Sequence, residues 1–128
     1  MSAMSDYLEL EVLDHVLGTG AYTMPSNVYI GLSTGSFGDD NSGTELSGSG
    51  YARQAITFAA ASSGSAATNA TVTFPTASGS WGAVSHWGLF DASSSGNLLI
   101  HGSFASSKTI ASGDVLRVNS GDLTVTAA

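Results

Sequence analysis

Cysteine is absent from the chain, which excludes disulfides and thiolate-held metals and leaves stability to packing, with help from oligomer contacts. Cations are almost as scarce. Arg53, Lys108 and Arg117 stand against ten acids, for a formal net charge of −7. Three cations cannot line a phosphate backbone, so nucleic acid is not an expected partner, and an anionic membrane surface is disfavoured for the same reason. No apolar run approaches the roughly 20 residues that cross a bilayer. The N-terminus also lacks the basic start and apolar core of a signal peptide, so the expectation is a soluble protein with no membrane partner. Charged residues make up only 10% of the chain, against a usual quarter. In their place Ser, Thr, Gly and Ala supply more than half of the 128 residues. A surface of that kind can lie against another protein with little charge to desolvate.

The length suits one domain with a real core. Residues 1–20 read as an N-terminal arm and an amphipathic helix. Ser5 can cap that helix, Asp6 suits the positive end of its dipole, and Gly18 stops it. Leu8, Val12, Leu13, Val16 and Leu17 form its apolar stripe, to be buried on its own sheet or on a neighbour. Residues 21–128 then read as short strands separated by turn signals such as Ser63-Gly64, Ser95-Gly96 and Gly121-Asp122. The strands are expected near 27–33, 51–60, 70–74, 84–90, 97–104, 108–110, 115–118 and 123–126. About eight short strands at even spacing predict a mostly β, single-domain antiparallel sandwich or jelly roll, with a closed barrel as the alternative. A long polar loop at 34–50, with five glycines and no core of its own, is expected to be functional or mobile.

Signatures of chemistry are missing. No G-x-S-x-G elbow or phosphate-cradling loop occurs. His15, His86 and His101 show no metal-ligand spacing. The acidic run Asp39 to Glu45 resembles a calcium loop, but Thr44 and Gly50 stand where an EF-hand needs Gly and Glu. A solvated acidic loop is the expectation there, with calcium shared between subunits as the alternative. Trp81 and Trp87 are expected in the core, with a sugar platform as the alternative. Arg53 carries five planar donors suited to a carboxylate, and Glu45 is the expected partner. Neither a cofactor nor a catalytic residue is expected.

The run Glu45-Leu46-Ser47-Gly48-Ser49-Gly50-Tyr51-Ala52-Arg53-Gln54-Ala55 is the most distinctive in the chain. After it come Thr71-Val72-Thr73-Phe74-Pro75, Trp81-Gly82-Ala83-Val84-Ser85-His86-Trp87-Gly88-Leu89-Phe90, and the closing Gly113-Asp114 and Gly121-Asp122 turns. In this order, with the Val28-Tyr29-Ile30-Gly31-Leu32 strand, the chain resembles a family of small tailed-phage virion structural proteins, often labelled tail-fibre proteins. It also resembles capsid decoration, or cement, proteins, which are typically trimers. The resemblance implies a non-enzymatic virion component, assembled in the host cytoplasm and bound to copies of itself and to the major capsid protein or other virion proteins. The first expectation is a homotrimeric head decoration protein that stabilises the shell. The alternative is a tail-fibre or tail-tip component involved in host attachment. Leu8, Val12, Val16, Glu45, Tyr51, Arg53, Trp81 and Trp87 are the expected interface residues.

Overall fold

A computed structural model describes residues 2–127; Met1 and Ala128, the ends of the two expected segments, lie outside the described residues. The chain is mostly β. Strand β1 (Ser2–Met4) leads into α1 (Asp6–Val16), and the rest is strand and loop: β2 (Val28–Ser33), β3 (Gln54–Ile56), β4 (Ser65–Ala67), β5 (Val72–Thr73), β6 (Gly82–Phe90), β7 (Leu98–Ile110), β8 (Arg117–Val118) and β9 (Thr124–Thr126). Five strands form one antiparallel sheet in the order β1-β7-β6-β2-β3, while β4 pairs with β9 and β5 with β8 as separate ribbons.

Alternation along β2 and β6 decides the layering. Ile30 and Leu32 point to one face with Trp87 and Leu89, their cross-strand neighbours. There they meet Val72, Phe74, Leu116, Val118 and Leu123 from the two ribbons and their flanks, all buried. This is the main core, and both tryptophans belong to it, with Trp81 at 5% and Trp87 at 2% exposure. Neither ring is therefore open to a sugar or a partner in the folded chain, because both are packed among the core side chains.

The opposite face of the sheet is built around two glycines. Gly31 of β2 lies directly across from Gly88 of β6. The missing side chains leave a trough, and the 34–53 segment fills it. Phe37 packs edge-on against Phe90, at 5.6 Å between centroids, and closes a second small core with Leu98. The long loop thus has a core after all, and it covers the sheet instead of hanging from it. Further pins hold it down. Ser33 Oγ donates to Thr44 O at 2.6 Å, Leu46 N–H to Leu32 O at 2.9 Å, and the Trp81 indole N–H to Ser49 O at 3.0 Å.

A side chain at Gly31 would meet this cover. Its Cβ would sit 2.7 Å from Glu45 Oε2, 3.0 Å from the Phe90 ring and 3.1 Å from the Tyr51 hydroxyl. Gly31→Ala is therefore expected to cost about 1–3 kcal/mol by overpacking. Gly35→Ala, where nothing lies within 4 Å, should be near neutral. Urea midpoints of the two variants check this contrast.

The expected strands at 97–104 and 108–110 are one long β7. Val84 pairs with Lys108 but His86 with Ser103, so residues 104–107 bulge from the ladder without ending the strand. The expected strand 51–60 shrinks to Gln54–Ile56, because Tyr51 and Arg53 are drawn into the loop cover. Helix α1 begins as expected: Ser5 Oγ accepts the Leu8 N–H at 3.2 Å. Ser5 is itself buried, donates to Leu98 O, and its N–H reaches Leu99 O at 2.8 Å. These contacts fasten the N-terminal end of the helix to β7. Leu8 is buried and Val12 half-buried, but Leu13, Val16 and Leu17 of the expected stripe stay exposed.

Candidate functional site

Three of the residues singled out in the sequence converge. Arg53 grips Glu45 with two parallel bonds, Nη2 to Oε1 at 2.7 Å and Nε to Oε2 at 2.9 Å. Its Nη1 donates to Ala92 O at 2.9 Å and to Ser95 O at 2.8 Å. The guanidinium carbon lies over the Phe90 ring, 3.6 Å from the centroid. Tyr51 completes the group. Its hydroxyl donates to Glu45 Oε2 and accepts the Leu32 N–H at 2.9 Å. That N–H lies beyond the reach of β3, which pairs β2 only as far as Ile30, so the phenol occupies the place of an absent strand neighbour. The Tyr51 ring stacks on Phe74 and meets Trp81 edge-on. The cluster ties the loop, the β6–β7 turn and the core together. Four of the five guanidinium N–H groups and the Tyr51 hydroxyl bond within the protein, so the group acts as a clamp.

Burial, and then the hydrogen bond to Glu45, hold the Tyr51 hydroxyl protonated well above the ordinary phenol value. In the unfolded chain the same group ionises at about pH 10. The unfolded state therefore releases its proton first, and the stability from this group is complete below about pH 10 and falls as pH rises beyond it. Urea midpoints measured between about pH 9 and about pH 11 should fall for the native chain and fall less for Tyr51→Phe. At neutral pH the variant should be weaker by about 1–2 kcal/mol, as Leu32 N–H and Glu45 each lose a partner.

The other titratable groups are dispersed. His101 Nε2 lies 2.7 Å from Asp39 Oδ1, His15 Nδ1 accepts the Tyr22 N–H at 3.1 Å, and His86 Nδ1 lies 2.7 Å from Ser85 Oγ. Within the expected acidic loop, Asp39 turns to His101, Asp40 accepts the Ser42 N–H at 3.1 Å, and Glu45 turns to Arg53. The three carboxylates thus point to separate partners. Among the described residues no three His, Asp or Glu side chains come together as a metal site would need.

What the molecule does present is apolar surface. Leu10, Leu13, Val16 and Leu17 of the helix and its C-cap are 54–72% exposed, and Met24 beyond it is 82% exposed. Beside the helix an apolar hollow of about 280 Å³ is lined by Leu8, Tyr22, Val28, Leu89, Ile100 and Val125 among others. Four of the six exposed large hydrophobic side chains among the described residues thus lie on one short helix and its C-cap. Of the expected interface residues, Leu8, Trp81 and Trp87 are core, Glu45, Tyr51 and Arg53 form the clamp, and Val12 is half-buried. Val16 alone lies on the exposed face. Leu10 was not singled out in the sequence, because it falls beside Glu9 and Glu11 and off the stripe that runs through Leu8.

A model of the family described as Podophage GP4 fiber I protein gp80 matches residues 3–126, and no curated protein matches the chain.

Proposed function

The chain belongs to the Podophage GP4 fiber I protein gp80 family and is a phage virion structural protein; from that premise we propose that it is a non-catalytic subunit of the tail-fibre apparatus, working by contact with other virion proteins. The observation that carries this reading is the family match over nearly the whole chain, under a fibre description. The clamp supports it, because it commits Glu45, Tyr51 and Arg53 to stiffening a small domain. The exposed helix face supports it as well, since four large aliphatic side chains exposed on one side of a helix suit contact with another protein. A capsid-decorating role rests on low charge and a small β domain, features that a fibre subunit shares. Self-association, with a homotrimer as the expected closed form, is part of the proposal.

Gold-labelled antibody against the chain, applied to purified virions, tests the location. Label at the tail supports the fibre reading. Label spread over the head would overturn it in favour of decoration.

A further inference from the structure

Two separate surfaces are complementary, and among the described residues neither is covered by another part of the chain. The first is the face of α1. Leu10, Leu13, Val16 and Leu17, spaced by three, six and seven positions, lie on one side of the helix and are mostly exposed. Asp6 and Glu9 extend the same side toward the helix N-terminus. The second is a hollow of about 190 Å³ beside the bulged part of β7. Phe104, Leu116 and Leu123 wall it, with Lys108, Arg117 and Asp122 at its lining.

The charges in this hollow are unusual for the chain. Of three cations, Arg53 is consumed by Glu45, and both others meet here. Among the described residues the ion pairs are Arg53–Glu45 and His101–Asp39, so neither Lys108 nor Arg117 has an acidic partner. Asp122 accepts the Asn119 N–H at 3.3 Å within its own turn. An apolar hollow with two unpaired cations calls for an aliphatic surface bearing acids, and α1 is such a surface.

The chain cannot fill its own hollow. Strand β7 holds α1 at its Leu98–Leu99 end through Ser5 and lines the hollow from Phe104 onward. Strand rise separates the two by about 20 Å. We propose that the leucine face of α1 docks, with Asp6 and Glu9 toward Lys108 and Arg117, into the hollow of a second copy of this chain. The contact joins unlike surfaces, so it is head-to-tail. A head-to-tail contact closes a ring, such as a trimer, or propagates as a filament, and does not stop at a two-fold dimer. The inference rests on the self-association included in the proposed function, but not on the chain's place in the virion.

Sedimentation of the full chain over a wide concentration range, with circular dichroism to confirm folding, tests it. The native chain should form oligomers larger than a dimer. Lys108→Glu with Arg117→Glu should weaken association tenfold or more, as should Asp6→Lys with Glu9→Lys. The four changes combined restore opposite charges across the contact and should recover association. Leu10→Ser with Leu13→Ser alters side chains that are exposed in the isolated chain. It should leave the melting temperature of the dilute monomer in place while abolishing oligomers. A native chain that stays monomeric, reversals without effect, or a four-site variant that fails to recover would overturn the proposal. So would serine variants that associate normally yet fail to enter virions, because the face would then belong to a different virion protein. None of these results alters where antibody labels the virion, so failure of the contact is separable from failure of the fibre reading.

Discussion

Replacing Arg53 with alanine is expected to remove about 3–5 kcal/mol of folding stability, a cost typical of breaking a desolvated ion pair from one side. The side chain of Arg53 is 8% exposed and that of Glu45 23%. Removal of the guanidinium leaves the Glu45 carboxylate beneath the loop with Tyr51 as its remaining partner, and orphans the carbonyls of Ala92 and Ser95. It also uncovers the Phe90 ring, which the guanidinium shields. Arg53→Lys keeps the charge but loses the two-pronged grip on Glu45 and the guanidinium contact with the ring, so it should retain only part of the stability. Changing Glu45 to Gln in the Arg53→Ala background should cost less than the two single losses together, because the unpaired charge is then gone. Urea denaturation of the four chains measures this coupling. A loss below about 1 kcal/mol for Arg53→Ala would mean that water replaces the clamp.

Trp87→Ala is expected to cost as much by a different route, about 3–5 kcal/mol through lost burial and the cavity left behind. Trp87 is among the largest fully buried side chains. It stands beside Leu32 in the middle of the sheet, with core side chains from both ribbons on the same cluster. Little around it can collapse, since the ribbons are only two or three residues long and are tied to loops. Thermal unfolding should show the loss directly. Leu13→Ala, at 54% exposure, should barely move the same transition for a dilute chain. The contrast separates side chains that make the fold from those that face a partner.

Much of this arrangement was readable from residue pattern. The alternation Val28, Ile30, Leu32 placed β2, the Ser5 cap and Gly18 stop bounded α1, and the pairing of Arg53 with Glu45 followed from the scarcity of cations. The five-stranded sheet and two ribbons agree with a mostly β fold. The loop was harder. Phe37 stands among glycines and serines, and a lone aromatic there gives no period to follow. Its burial depends on Gly31 and Gly88 facing each other across two strands more than 50 positions apart, which no local pattern reveals. Two glycines inside otherwise apolar strands were the available sign that something packs closely over them. The helix was legible, but the surface that covers its stripe was not. The stripe predicts burial on the sheet or on a neighbour, and within the chain it is Leu8 that is buried, beside the Ser5 contacts with β7 that sequence spacing does not encode. The hollow at Phe104 is equally hidden, because Lys108 and Arg117 meet only once β7 and β8 are in place.

The direct test of a chain that acts through protein contacts is a cryo-electron microscopy reconstruction of the intact virion, at a resolution that shows side chains. It should place this domain in the tail-fibre apparatus, with Leu10, Leu13, Val16 and Leu17 covered by neighbouring protein. A domain found on the head shell, or one whose helix face stands open to solvent in the assembled particle, would contradict it.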